Sequence, residues 1–170
     1  MTDAALRRLL DERAINAVLI DYCRLLDVMD LDSLSSLFTA DCFVDYGPDP
    51  QLQSSGAAAL AESLQRMWRW TKTSHHLSNV SITFDGDDCA DVQSYVYAWH
   101  KRADGTVATI LGQYIDRFLR CDDRWLIARR RMLMNGCNEN FTVDINRLER
   151  NKAPDDWVAP DIDRSRRAHD

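Results

Sequence analysis

The hydrophobic pattern of the chain changes its period once. Up to about residue 70, apolar residues recur every three or four positions, which is the spacing of amphipathic helices. From about residue 75 to residue 134, apolar and polar residues alternate, which is the spacing of strands. Short, turn-rich links divide this second part at 85–88, 103–105 and 121–123. Links of this length join antiparallel neighbours, so the second part predicts a four-strand meander.

The two periods also give the expected elements. The spacing predicts a long helix over 4–29 and a third helix over 56–70. Between them we expect a short helix that Asp32 caps and that ends at Leu37 and Phe38. Strands are expected over 42–46, 75–84, 89–100, 106–120 and 124–134.

This order of elements predicts an α+β fold. N-terminal helices should wrap a curved antiparallel sheet into a cone-shaped body with an apolar pocket inside. Pockets of this kind hold small molecules, so a small hydrophobic substrate or ligand is the expected partner. The domain is assigned to residues 1–148, in which 141–148 forms a covering arm that includes Phe141. The polar stretch 149–170 is expected to be an arm or a mobile tail.

Charge and motif content argue against several classes of function. The net charge of −6 disfavours a nucleic-acid partner, and no apolar run approaches the roughly 18 residues of a membrane span. Glycine-rich phosphate loops, the serine-hydrolase elbow, the zinc-peptidase motif and metal-ligand histidine spacing are all missing, so neither a cofactor nor a metal is expected. The five dispersed cysteines and the lack of a secretion signal indicate free thiols and a cytoplasmic location.

Asp27 is the first candidate for chemistry. It follows the apolar stripe of the first helix, where Cys23 and Ile20 precede it at helical spacing. A carboxylate there is costly to bury unless it has a partner. The alternative is that Asp27 faces solvent at the end of the helix, as Asp30 would.

Three histidines are the next candidates. His75 and His76 are adjacent on a predicted strand, so they point to opposite faces and at most one enters the pocket. Strict alternation groups His76 with Phe84, whereas a bulge near 78–79 would put His75 on that face. His100 ends the following strand. Each histidine is either a pocket residue or an ordinary structural or surface residue.

Tyrosine, arginine and tryptophan side chains complete the candidate site. Tyr46 lies on the apolar side of its strand and Tyr22 on the first helix, where each is a core residue or a hydrogen-bond donor to a ligand. One of the arginines 129–131 must face inward, where it would stabilise an anion or pair with a buried acid. Trp68 is expected on the apolar face of the third helix, beside Leu64.

The second meander strand also carries an aromatic row. Tyr95, Tyr97 and Trp99 alternate there and should form an outer sheet face. So large an apolar surface favours a sheet-to-sheet homo-oligomer, either a dimer or a trimer.

Three stretches resemble one known family. They are RAINAVLIDYCRLLDVMDLDSLSSLFTADCFVDYG, SHHLSNVSITFDGDDCA and GQYIDRFLRCDDRWLIARR, and together they cover most of residues 13–131. Their order and spacing resemble the SnoaL-like branch of the nuclear transport factor 2-like superfamily. The family fold is a cone-shaped α+β barrel with a deep pocket, as the periodicity predicts.

The resemblance also implies a chemistry. Scytalone dehydratase and hexachlorocyclohexane dehydrochlorinase use a His–Asp pair to remove a proton and drive elimination. In this sequence the aspartate falls on Asp27 and the histidine on His75. A second histidine, a pocket tyrosine and a pocket arginine fall on His100, Tyr46 and Arg130. The resemblance therefore implies a cofactor-independent lyase acting on a small hydrophobic cyclic or aromatic compound.

Two departures point to a different substrate. Leu26 stands where the dehydratase has a tyrosine, and its serine and asparagine fall near Gly112 and Tyr114. Two other functions stay open for such a pocket. One is a polyketide cyclase or isomerase with the aspartate as base, and the other is a non-catalytic binding module or dioxygenase small subunit.

Overall fold

A computed structural model describes residues 2–158 of the chain. Its three α-helices are α1 (Asp3–Val28), α2 (Leu31–Ser35) and α3 (Ala57–Leu64). Its six strands are β1 (Phe38–Asp45), β2 (Gln53–Ser55), β3 (Lys72–Asp85), β4 (Cys89–Lys101), β5 (Val107–Cys121) and β6 (Arg124–Cys137). Two 3₁₀ helices cover Pro50–Leu52 and Gln65–Arg69.

The strands form one curved, open sheet in the order β2-β1-β6-β5-β4-β3. The predicted α+β class and the four-strand meander are confirmed, because β3, β4, β5 and β6 pair as successive antiparallel neighbours. The expectation of a wholly antiparallel sheet is wrong at one place, since β1 pairs with β6 in parallel. A parallel pair needs a long connection, and here the connection is the whole chain between the two strands.

Two predicted boundaries move for local reasons. Asp30, not Asp32, caps α2, because its carboxylate accepts a hydrogen bond from the Ser33 amide at 3.1 Å. The α2 helix ends at Ser35, and β1 begins at Phe38, which pairs with Ile127 of β6. The third helix keeps α-geometry only to Leu64 and continues as the 3₁₀ helix Gln65–Arg69.

A bulge in β3 decides which of its residues face inward. Asn79 has a φ of 50°, and the pairing with β4 shifts between Ser78 and Ser81. His75 therefore shares the inner face of the sheet with Ile82 beyond the bulge. This is the bulged alternative that periodicity alone left open.

The core lies between α1 and the inner face of the sheet. On α1 the residues Ile15, Leu19 and Tyr22 are almost fully buried. They belong to one hydrophobic cluster with sheet residues that include Val92, Val96, Phe118 and Ile127. None of the helices between residues 2 and 158 has the length and apolarity that a bilayer crossing requires.

The segment after β6 is hydrogen-bonded to the end of β1. Asn146 donates its amide to the Tyr46 carbonyl at 3.2 Å and its side chain to the Asp45 carboxylate at 2.9 Å. Residues 149–158 are exposed, and the rest of the predicted tail, 159–170, lies outside the described residues. Phe141, Val143 and Ile145 of this segment line a cavity over the inner sheet face.

Candidate active site

The cavity is bounded by α1, the inner sheet face, the 3₁₀ helix Gln65–Arg69 and the segment after β6. Its volume is about 80 Å³, against the roughly 10–15 Å³ that one water molecule needs. Most of its lining is apolar: Leu26, Leu52, Leu64, Met67, Trp70, Ala98, Ile110, Met132, Phe141, Val143 and Ile145. The polar lining consists of Tyr22, Tyr46, Tyr114, His75, His100, Arg66 and Arg69. Such a wall suits a compact apolar molecule with a few polar groups.

Asp27 and His75 meet at the side of this cavity. Asp27 lies in the last turn of α1, and its Oδ1 atom accepts a hydrogen bond from His75 Nδ1 at 2.6 Å. The His75 amide donates to Asp27 Oδ2 at 3.0 Å, and the Thr73 hydroxyl donates to Oδ1 at 2.8 Å. Of the two alternatives for Asp27, the structure therefore has the partnered one, with the carboxylate fixed against β3.

These contacts set the protonation of the pair. Burial alone raises the pKa of Asp27, but the hydrogen bonds from His75 and Thr73 outweigh it and hold that pKa below its usual range. An anionic Asp27 only accepts hydrogen bonds, so the Nδ1 atom of His75 carries a proton. In the uncharged form of the ring the lone pair lies on Nε2, which has no hydrogen-bond partner within residues 2–158. The side chain of His75 is 4% exposed and lines the cavity.

His100 lies beside His75 in the cavity wall. Their ring centroids are 5.3 Å apart, and the Trp70 ring lies 5.1 Å from His100 on another side. Burial lowers the pKa of His100 to about 4, and the neighbouring His75 acts in the same direction. His100 is therefore neutral at pH 7, where it can give or accept a hydrogen bond but does not supply a proton as an imidazolium.

Three tyrosines form another part of the cavity lining. The hydroxyls of Tyr22 and Tyr46 are 2.6 Å apart, so one donates to the other and the second proton stays free for a ligand. Tyr114 lines the same cavity and stands edge-on to Tyr22 at 5.8 Å. Burial raises the pKa of all three phenols, so all three remain protonated donors at neutral pH.

Arg130 lies behind these tyrosines, away from the cavity wall. Its guanidinium makes two hydrogen bonds to the Asp116 carboxylate, at 2.8 and 2.7 Å, and both side chains are fully buried. Its central carbon lies 4.2 Å from the Tyr22 ring and 4.1 Å from the Tyr114 ring. Burial alone lowers the pKa of Arg130, but the Asp116 carboxylate outweighs it and raises that pKa. Of the two predicted roles, the structure has the ion pair with a buried acid.

Trp68 and His76, which were predicted to contact a ligand, lie outside the cavity lining. Trp68 is 65% exposed, because the change to 3₁₀ geometry at Gln65 advances the residues by about 120° instead of about 100° and brings Trp70 into the wall. His76 lies on the outer sheet face, hydrogen-bonded to Ser74 and 6.2 Å from the Tyr97 ring.

Several cavity residues were missed by sequence reasoning. Arg66, Arg69 and Trp70 depend on the 3₁₀ turn, for which the sequence carries no clear signal. Asp116 could have been found, because period-two spacing puts it on the inner face between Tyr114 and Phe118. Within residues 2–158, no group of three or more His, Cys, Asp or Glu side chains is placed to hold a metal ion.

Solved structures similar to this one share the fold over most of the chain. A candidate scytalone dehydratase from Novosphingobium aromaticivorans is 29% identical, with a TM-score of 0.82 over 87% of this chain and 99% of that one. A candidate aromatic ring hydroxylase from the same organism is 25% identical, with a TM-score of 0.70 over 75% of this chain and 91% of that one. A type 2 hexachlorocyclohexane dehydrochlorinase is 18% identical, with a TM-score of 0.72 over 90% and 99% of the two chains, which shows a shared fold alone.

Sequence comparison gives the same family. No curated protein matches the chain. The family model described as the SnoaL-like domain matches residues 7–131, which is well over half of the chain. With the fold shared by its structural neighbours, this match confirms the resemblance seen in the sequence. The chain belongs to the SnoaL-like domain family of the nuclear transport factor 2-like superfamily.

Proposed function

We propose that this protein is a cofactor-independent lyase that eliminates a small leaving group from a compact hydrophobic ring compound. The observation that carries the proposal is the hydrogen-bonded pair of Asp27 and His75, whose free ring nitrogen belongs to a side chain in an apolar cavity wall. A dry wall strengthens this pairing, because charges interact more strongly where water is excluded.

His75 and the tyrosines have different roles in the reaction. His75 Nε2 takes a proton from a ring carbon, and the C–H electrons form a double bond to the neighbouring carbon as its bond to the leaving group breaks. Asp27 keeps the ring in the Nδ1–H form and stabilises the imidazolium that results. The leaving group departs with its bonding electrons, as hydroxide or halide. It accepts the free hydroxyl proton of the Tyr22–Tyr46 pair as a hydrogen bond, and His100 can add a second contact.

The roles of Arg130 and Tyr114 follow from their places. Arg130 holds its charge beneath the tyrosine rings and positions them, whereas Tyr114 presents its hydroxyl to the ligand. Phe141 closes the cavity as part of the segment after β6. A homo-oligomer formed through the outer sheet face, where Tyr95 and Tyr97 are exposed, remains part of the proposal.

A cyclase or isomerase with the aspartate as base has weaker support. Asp27 is outside the cavity lining, and its carboxylate already accepts three hydrogen bonds from His75 and Thr73. A non-catalytic binding module, as in a dioxygenase small subunit, would not require a His–Asp pair in the wall. The second alternative predicts that the purified chain binds apolar ligands and turns none of them over.

The test is a set of three variants assayed on small cyclic alcohols and halides for release of water or halide. We expect His75→Ala and Asp27→Asn each to lower turnover by about 10²–10⁴-fold, which is the usual range for loss of general acid–base help. His76→Ala is the matched control, since it removes the adjacent imidazole on the outer face and should leave turnover unchanged. Near-full turnover in both His75→Ala and Asp27→Asn would contradict the proposal.

A further inference from the structure

Two arginines in the cavity lining have no counterpart in the mechanism above. Arg66 and Arg69 belong to the 3₁₀ helix Gln65–Arg69, and both line the cavity. Among the described residues, the lining contains no carboxylate and no lysine, so these two cations set its charge. The protein as a whole is acidic, with a net charge of −6. The positive lining therefore differs in sign from the chain that surrounds it.

Neither arginine is neutralised by an acid within residues 2–158. Among the same residues, six other arginines form ion pairs with aspartates: Arg8, Arg24, Arg117, Arg120, Arg130 and Arg131. Asp49, Glu62 and Asp144 line a neighbouring surface groove that Arg66 and Arg69 also border, but none of them pairs with either guanidinium. Arg66 and Arg69 border both the cavity and this surface groove, which together define the mouth of the cavity. Their positive charges are thus available to a ligand there.

Backbone contacts hold the two guanidinium groups in place. Arg66 donates from Nη1 to the Ser63 carbonyl at 2.6 Å and also to the Ser63 hydroxyl. Arg69 donates from Nε to the Arg66 carbonyl at 2.9 Å. These bonds leave Nε and Nη2 of Arg66, and both Nη atoms of Arg69, without partners among the described residues. The guanidinium of Arg66 lies 5.3 Å from the ring of Tyr46, which ties it to the cavity wall.

We infer that the ligand of this cavity is an anion: a compact apolar ring body that carries a carboxylate, with the body inside and the carboxylate held by Arg66 and Arg69. Two guanidinium groups with free N–H donors match the paired oxygens of a carboxylate, and such charge-assisted bonds are stronger than neutral ones. The apolar residues, including Trp70 and Phe141, would enclose the ring.

This inference deepens the proposed function, because it names the substrate class and rests on the cavity being the substrate site. It also orients the substrate, since the carboxylate at the mouth fixes which ring carbon can approach His75. The negative charge of a carboxylate disfavours removal of a proton from a nearby carbon, and the two arginines would reduce this penalty by neutralising that charge. The two arginines are specificity residues in this arrangement.

The experiment compares matched pairs of probes that share a ring body and carry either a carboxylate or the corresponding neutral amide. Isothermal titration measures the binding of cinnamate against cinnamamide, phenylacetate against phenylacetamide, and 2-naphthoate against 2-naphthamide. We expect at least one acid to bind about tenfold or more tightly than its amide, given the usual strength of charge-assisted hydrogen bonds. Salt at about 0.5 M should reduce this preference, because it screens exposed charges.

The variants test which residues produce the preference. Arg66→Gln and Arg69→Gln should each lower the acid-to-amide affinity ratio by about threefold to tenfold, and the double variant should bring it close to one. Arg124→Gln is the matched control, since it removes the same charge at the exposed β5–β6 turn and should leave the ratio unchanged. Affinity for the amides should stay constant throughout, which separates loss of charge from loss of fold.

Two results would overturn the inference. One is that no acid of the three pairs binds better than its amide, and the other is that the preference survives in the double variant. Binding does not depend on turnover, so the outcome is independent of the His75 test. If His75→Ala stays active while the acid preference holds, only the proposed mechanism fails. If His75→Ala is inactive and the preference is missing, only the carboxylate assignment fails.

Discussion

Two aspartate pairs lie close to the cavity, and they differ in how they relate to it: one is buried behind the tyrosines, and the other includes a lining side chain. Asp116 and Arg130 make two hydrogen bonds to each other, and both side chains are fully buried. Asp27 and His75 also pair closely, but His75 keeps a free ring nitrogen in a cavity-lining side chain. An ion pair closed by two hydrogen bonds behind the cavity wall fixes structure, even though Arg130 Nη1 has no hydrogen-bond partner within residues 2–158. A pair that retains a free acceptor in a cavity-lining side chain can instead take a proton. This difference distinguishes the Asp116–Arg130 pair, which positions the tyrosines, from His75, which is the proposed base.

The strongest way to break this comparison is one substitution made in both pairs. Asp116→Asn leaves the fully buried Arg130 without a counter-charge and should lower the free energy of unfolding by about 3–5 kcal/mol. Asp27→Asn affects a partly exposed carboxylate, so its loss should be about 1 kcal/mol. Urea denaturation of the two variants measures both values.

A control and a contrary outcome complete that test. The double variant Asp116→Leu with Arg130→Met removes both charges and should recover part of the loss, because no unpaired charge then remains buried. Equal stability losses in Asp116→Asn and Asp27→Asn would show that the two pairs do the same structural work. The assignment of Asp27 to catalysis would then lose its main structural support.

More of the fold than of the candidate site could be predicted from the sequence. The meander follows from a period of two interrupted by short turns, and this pattern is local, so the sequence displays it directly. The facing of His75 is not local, because it depends on the bulge at Asn79, and alternation is compatible with both outcomes. Trp70, rather than Trp68, lines the cavity for a similar reason. Over a single turn, the sequence does not show whether the chain forms an α-helix or a 3₁₀ helix.

The partners of the charged residues could not be predicted either, because they come from distant parts of the chain. An inward arginine among residues 129–131 follows from strand alternation, but its partner Asp116 is on another strand, and only the register of β5 on β6 sets the two opposite each other. Asp27 reaches His75 across 48 positions of the chain, so the residue pattern could mark Asp27 as a candidate, but only the family resemblance paired it with His75.

His100 provides the next largest effect, through pH. Its pKa is lowered to about 4 in the folded chain by burial, against about 6.5 when unfolded, so the unfolded chain binds more protons between these values. The free energy of unfolding should therefore fall as the pH decreases, by about 2 kcal/mol between pH 7 and pH 5. Asp27, whose pKa is lowered, adds its own loss only below its unfolded pKa of about 4.

His100→Gln isolates this contribution. The variant should have a flatter stability profile between pH 5 and pH 7, as measured by urea denaturation at several pH values. His76→Gln on the outer face is the matched control and should keep the slope of the parent protein. A slope that persists in His100→Gln would assign the proton uptake to another group.

The tyrosine pair should respond more weakly. Tyr46→Phe removes the hydroxyl that lies 2.6 Å from Tyr22 and leaves Tyr22 as the one hydroxyl of this pair. We expect unfolding free energy to fall by about 1 kcal/mol, and turnover to fall about tenfold if that hydroxyl network binds the leaving group. Tyr95→Phe, on the exposed outer face, is the control and should change neither quantity. Unchanged turnover in Tyr46→Phe would remove the pair from the reaction.

Thr73 offers the smallest and most specific test of the His–Asp side. Its hydroxyl donates to Asp27 Oδ1 at 2.8 Å and helps to hold the pKa of that carboxyl low. Thr73→Val keeps the shape and removes this bond, so the pKa of Asp27 should rise. Turnover should fall only a few-fold, by the loss of about 0.5–1 kcal/mol, with most of the loss on the acid side of the pH profile.

Thr71→Val is the matched control for this last change. Thr71 donates its hydroxyl to the Lys101 carbonyl at 3.0 Å and has no contact with Asp27. A structural effect common to both threonines would lower stability in both variants and leave the two pH profiles alike. A profile displaced only in Thr73→Val would locate the ionisation that limits turnover in the Asp27–His75 pair, because the two variants differ in that one hydrogen bond.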